Sequence, residues 1–173
     1  IALDSCDDAT VRSALFNADA LLVRTYTQVT EGLLQAANRL KVVGRAGVGV
    51  DNIDLAAAHR RGITVVHTPA ASTQSVAEHT VGLMLAVEHQ IVRGDCAVRG
   101  DRFAEHRNSA RWRELGCCTI GIVGMGRIGS RVAQICAAGL GMKVIYNDIH
   151  PVEAFEFDAD PVPLPKLLTE ADF

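Results

Sequence analysis

The run Gly124-Met125-Gly126-Arg127-Ile128-Gly129, with Asp148 downstream of it, has the residue types and spacing to hold a dinucleotide. Gly124 permits a tight turn. Gly126 lacks a side chain, so the backbone there can approach a pyrophosphate. Gly129 lets a helix pack closely on the preceding strand. Met125, Arg127 and Ile128 fill the turn between the glycines and are counted with the cofactor-binding residues. The helix that follows aims unbonded N–H groups at the phosphates. Asp148 stands where a carboxylate accepts hydrogen bonds from an adenosine ribose diol, and its charge repels a 2′-phosphate. NAD is therefore expected rather than NADP.

These residues need a strand before the turn, a helix after it and a second strand ending at the acid. Residues 119–123 and 127–138 supply the first strand and the helix, and a second strand follows them and ends at Asp148. Upstream the same alternation appears. Strands are expected at 20–24 (ALLVR), 40–44 (LKVVG) and 63–67 (ITVVH), with helices at 29–39, capped by Thr30, and at 54–61, stopped by Gly62. Strand and helix in alternation predict parallel pairing with helical crossovers. Residues 75–91 form the longest helical candidate. Val76, Val81, Leu83, Met84, Leu85 and Val87 nearly encircle it, which predicts burial between domains or subunits. Residues 94–115 read as a polar loop with one short helix. In Pro161-Val162-Pro163-Leu164-Pro165 a short strand is expected, with Pro165 in the first turn of a helix.

Composition narrows the function classes. The chain has 173 residues, 49% apolar and 21% charged, an ordinary globular balance. A net charge of −3 argues against a nucleic-acid partner, and the arginines at 107, 111 and 113 read as a solvated face. No apolar window is long enough to span a membrane, and no signal peptide is visible. Five cysteines without framework spacing suggest a reducing, cytoplasmic setting; Cys117 and Cys118 read as buried thiols at a strand start. No metal-ligand spacing appears among Cys and His. The chain opens on Ile1, beside or within a strand, and stops at Phe173 as another begins. It therefore reads as part of a longer protein.

The ordered motifs VRT, GRAGVGVDNID, RGITVVHTP, SVAEHT, GIVGMGRIG and Asp148 resemble the D-isomer-specific 2-hydroxyacid dehydrogenases over roughly residues 18–173. The resemblance implies an α/β fold with two doubly wound parallel-sheet domains. A flavodoxin-like substrate domain would take residues 1–90 with its linking helix, and a Rossmann-type NAD-binding domain would take 91–173, both truncated. It implies NAD at Gly124–Gly129 and Asp148, with Val48 near the nicotinamide. It places the substrate carboxylate on the amides of Gly47, Val48 and Gly49, since successive amides make an anion nest. Arg24 and Arg45 match family arginines that serve a charged substrate, and a guanidinium fork suits a phosphate. The bland alternatives are a surface ion pair for Arg24 and a pair with Asp51 or Asp54 for Arg45.

The family's chemistry is hydride transfer to nicotinamide while a histidine, oriented by a carboxylate, takes the hydroxyl proton and an arginine holds the substrate. Those catalytic Arg, Glu and His are expected beyond Phe173, so no catalytic residue is assigned within the chain. His59 reads as exposed, His79 as packing the long helix, and His67 stands where the family often has Asn. The implied partners are a small 2-hydroxyacid or 2-oxoacid and a second copy in a homodimer or higher oligomer. A phosphorylated hydroxyacid is favoured. A glyoxylate or hydroxypyruvate reductase and a non-catalytic NAD-binding corepressor-like module are the alternatives.

Overall fold

The computed structural model describes residues 7–109, 111–152 and 155–173. The strand expected beside Ile1 lies outside them. The chain forms two compact units, 1–72 and 73–173.

In the first unit, α1 (Asp8–Leu15) precedes β1 (Ala20–Val23), α2 (Glu31–Ala36), β2 (Val42–Arg45), α3 (Leu55–Arg60) and β3 (Thr64–His67). The three strands pair in parallel in the order β1-β2-β3, with Val23 opposite Arg45 and Arg45 opposite His67. Thr30 acts as the cap read from sequence, its Oγ1 accepting the Leu33 N–H, and Asp54, which had read as the first residue of its helix, caps it instead, its Oδ1 accepting the Ala57 N–H; each satisfies an orphan amide of a first turn. Gly62 takes φ +66°, which ends α3 in the left-handed conformation that glycine adopts without strain. Val11, Leu15, Leu33, Leu34, Val43, Ala57 and Ala58 make the core.

The second unit contains α4 (Thr73–Glu88), α5 (Ile91–Arg99), α6 (Phe103–Ser109), β4 (Thr119–Val123), α7 (Arg127–Gln134), β5 (Lys143–Asn147), β6 (Asp160–Pro161) and α8 (Leu164–Glu170). The helix after the glycine turn runs on as one π turn over Ile135–Gly139. β4 pairs in parallel with β5 and β5 with β6. On the opposite edge of β4, the Gly121 N–H donates to Phe173 O (2.9 Å) and the Asp172 N–H to Thr119 O (2.9 Å). The chain's last residues thus start a further strand position. The order β6-β5-β4-C-terminal segment puts the reversal of strand order at the carboxyl end of β4, the place where open α/β sheets bind ligands.

Within its own unit helix α4 buries the stripe Ala77, Val81 and Met84 and leaves Leu83 and Val87, 54% and 69% exposed, and His79 outside it. Two expectations are corrected here. Residues 94–115 hold most of α5 and all of α6 rather than one short helix. Exposed pairs such as Arg99–Asp95 (2.9 Å) stabilise a helix whose polar face gives little periodic signal. Cys117 is exposed because the strand begins only at Thr119. Cys118 and Cys136 are buried, and burial raises both thiols, Cys136 to about 11. Among the described residues no helix is long and apolar enough to cross a membrane, and no cluster could hold a metal ion.

Candidate dinucleotide site and anion-binding turn

β4 delivers the chain into the glycine turn. Gly124 adopts φ +93°, outside ordinary L-residue space, and its N–H donates to Asn147 O (2.8 Å) at the end of β5. A Cβ on Gly129 would lie 2.0 Å from Gly124 O, so only glycine lets α7 approach the turn. A Cβ on Gly126 would meet nothing within 4 Å. The missing side chain there leaves open space. Gly126 caps α7 with no side-chain bond, and the first helical bond is the Ser130 N–H to Gly126 O (2.9 Å). The amides of the turn before it therefore lie outside the helix's own bonding. Ser130 Oγ fixes the turn by donating to Met125 O (2.8 Å) or Gly126 O (2.9 Å).

Asp148 is half-buried at the end of β5. Its Oδ1 accepts the His150 N–H (2.9 Å) and its Oδ2 the Met125 N–H (2.6 Å). These main-chain bonds, His150 first, hold the carboxyl below its ordinary range, so it is ionised at neutral pH. Each carboxylate oxygen keeps a further lone pair for a ribose hydroxyl. Two adjoining clefts of about 490 and 290 Å³ share Asp148, His150, Pro151 and Val152. The larger reaches Met125, Gly126 and Ser130 and is walled by Phe155. That ring stands edge-on to Tyr146 (5.8 Å) and stacks on Phe157 (5.0 Å). The predicted Met125, Gly126 and Asp148 thus line one concavity, with Gly124 forming the turn that leads into it. Arg127, Ile128 and Gly129 form the first turn of α7 behind it.

The first unit carries the second group at the carboxyl ends of β1, β2 and β3. Gly47 has φ +151°, and a Cβ there would collide with the Arg45 guanidinium, which folds back over the turn. Arg45 donates from Nη1 to Ala46 O (2.6 Å) and from Nη2 to Thr25 Oγ1 (3.3 Å), while its buried Nε has no partner. The anticipated pair with Asp51 or Asp54 is not formed; the guanidinium is drawn to the turn's carbonyl instead. Arg24 is exposed, with no hydrogen bond to its guanidinium among the described residues. The Gly47 N–H is taken by Arg45 O (2.9 Å). Asn52, which sequence reading did not single out, donates to Arg24 O (2.9 Å) and Thr27 O (2.8 Å) and so fixes the loop that carries Arg24. Its signal was only its place next to the glycine turn.

The chain belongs to the D-isomer specific 2-hydroxyacid dehydrogenase family, whose catalytic-domain model it matches over residues 2–170. It is 41% identical over 172 residues to D-3-phosphoglycerate dehydrogenase of Mycobacterium tuberculosis, covering 99% of this chain and 32% of that protein. The enzyme of the same name from Methanocaldococcus jannaschii is 44% identical over 141 residues, 81% of this chain and 26% of that protein. The chain thus spans between a quarter and a third of the length of these curated relatives. Among solved structures, D-lactate dehydrogenase of Aquifex aeolicus, complexed with NAD and lactic acid, superposes with TM-score 0.81 at 37% identity over 93% of this chain and 48% of that one. D-2-hydroxyisocaproate dehydrogenase gives 0.83 at 28% identity over 96% and 50%.

Proposed function

We propose that the protein containing this chain is an NAD-dependent dehydrogenase of D-2-hydroxyacids acting on D-3-phosphoglycerate in the serine-forming route of the cytoplasm. The observation that carries the reading is Asp148: an ionised carboxylate tied to the glycine turn, with open space at Gly126, suits NAD and disfavours a 2′-phosphate. When bound, the nicotinamide accepts hydride from the alcohol carbon. The chain's own residues bind and orient. Gly124–Gly129 receive the pyrophosphate, and Asp148 the ribose. The amides beside Val48 receive the substrate carboxylate, and Arg24 and Arg45 the phosphate. In the family's chemistry a histidine oriented by a carboxylate takes the proton while an arginine holds the substrate; no residue of this chain is assigned to those roles, and the 173 residues on their own are expected to bind without turning over. Exposed Val87, Ile91, Val92 and Phe103 along α4–α6, with Trp112 in the segment after α6, support self-association as a homodimer or larger.

The test is NAD reduction by the full-length protein with D-3-phosphoglycerate, glycolate and D-lactate, on a preparation whose sedimentation is also measured. The reading expects D-3-phosphoglycerate to be used at far lower concentration than the others, by a dimer or larger species. Preference for glycolate identifies a glyoxylate reductase. Binding of NAD without turnover of any substrate identifies a non-catalytic module.

A further inference from the structure

We propose that His67 is a positioning residue of the anion-binding turn, its Nδ1–H orienting and polarising the Gly49 amide that receives the substrate carboxylate. The inference rests on the substrate role given above to that turn. His67 Nδ1 lies 2.7 Å from Val48 O. A carbonyl oxygen only accepts, so Nδ1 carries the proton and donates. One residue on, the Thr68 N–H donates to Gly47 O (3.0 Å).

These two bonds fall on the two peptide units whose amides matter. The Val48 carbonyl shares its peptide plane with the Gly49 N–H, and the Gly47 carbonyl shares one with the Val48 N–H. No described peptide is cis, and in a trans peptide C=O and N–H point in opposite directions. Pinning each carbonyl toward the end of β3 therefore turns each N–H away from it. The Val48 and Gly49 amides enter no hydrogen bond among the described residues, while the carbonyls of Arg45, Ala46, Gly47 and Val48 all accept one. Hydrogen bonding through a peptide is cooperative, so an occupied carbonyl makes its own N–H the better donor.

A competitor lies close by. Asp51 Oδ2 sits 3.0 Å from where a Gly49 Cβ would be, so an amide released from its orientation has an acceptor of the chain's own to turn to. Of the two restraints, Thr68 acts through its backbone and survives substitution. His67 is the one that depends on a side chain. It is exposed, outside the hydrophobic core, so its removal spares the packing of the unit.

The experiment follows the Val48 and Gly49 amide resonances of the 173-residue chain by ¹H–¹⁵N correlation. Parent, His67→Ala and His67→Asn are compared at rest and during titration with D-lactate and with D-3-phosphoglycerate. In His67→Ala the resting Gly49 amide proton should move upfield, and carboxylate binding should weaken about five- to tenfold, the worth of one hydrogen bond. His67→Asn retains a donor and should restore both. In the full-length protein, KM for the hydroxyacid should rise in His67→Ala with KM for NAD and kcat little changed. An unmoved Gly49 resonance in His67→Ala, or equal weakening by Ala and Asn, overturns the proposal. Failure of either carboxylate to move these resonances in the parent overturns the substrate role of the turn. The resting Gly49 shift decides the His67 contact separately.

Discussion

Gly126 and Gly129 stand three residues apart in one motif, yet the structure gives them opposite reasons. Gly129 is required for folding, because its missing Cβ is replaced by the Gly124 carbonyl at 2.0 Å. Gly126 has ordinary φ (−71°) and empty surroundings, so folding makes no demand on it. Gly129→Ala should therefore destabilise by about 1–3 kcal/mol or more, as overpacking against backbone does. Gly126→Ala should leave the melting temperature unchanged and impair NAD binding, because its methyl occupies the space left for the pyrophosphate. Thermal melts and NAD titration of both variants check this. A destabilised Gly126→Ala, or one that binds NAD normally, contradicts the assignment. At this scale much was legible, since glycine spacing and an acid at a strand end encode backbone geometry directly. The bonds of Asp148 to Met125 and His150 were not legible, because they depend on how β5 lies beside the turn.

Among the elements, the strands and the helices flanking the glycine turns were legible, because Thr30 and Gly62 mark ends by local chemistry. The region after α4 was not. Gln90 at φ +50° and Asp101 at φ +56° break it into α5 and α6; no glycine marks the first break, and Gly100, which caps α5 at the second, stands in a polar run with little periodic signal. Nor did sequence reveal the clamp formed by Arg113, which had read as one of a solvated arginine group. Its backbone N–H and Nε donate to Glu88 Oε1 (2.6 and 3.3 Å), and its Nη1 to Asp172 Oδ1 (2.6 Å). Asp172 Oδ2 also accepts the Thr119 N–H (2.8 Å), so α4, β4 and the C-terminal segment are joined by residues far apart in the chain. Asp172 is held below its ordinary range by Thr119 first and Arg113 second, Glu88 by Arg113. A carboxyl whose folded pKa is lowered contributes stability that is present above its unfolded value, roughly pH 4, and is lost as pH falls through the folded value. Asp172→Asn should therefore melt below the parent at pH 7, and the gap should close toward pH 3. A gap equal at both values would falsify the clamp.

For the molecule as a whole, the α/β alternation that predicts parallel sheets is strong because a crossover helix leaves few other topologies. The coverage of those sheets was not readable from periodicity. Leu22, Gly44 and Val66 lie opposite one another on one face of β1–β3, and Leu22 is 83% exposed there. Family membership rests on the whole length, since 169 of the 173 residues match one catalytic-domain description, 2 through 170. The cofactor is the central claim, and calorimetric titration of the 173-residue chain with NAD and with NADP tests it most directly. The account predicts that NAD binds and that NADP binds about tenfold more weakly or worse, because its 2′-phosphate meets the Asp148 carboxylate. It predicts too that Asp148→Asn narrows that difference. Equal affinity for the two, or no binding of NAD, would contradict it.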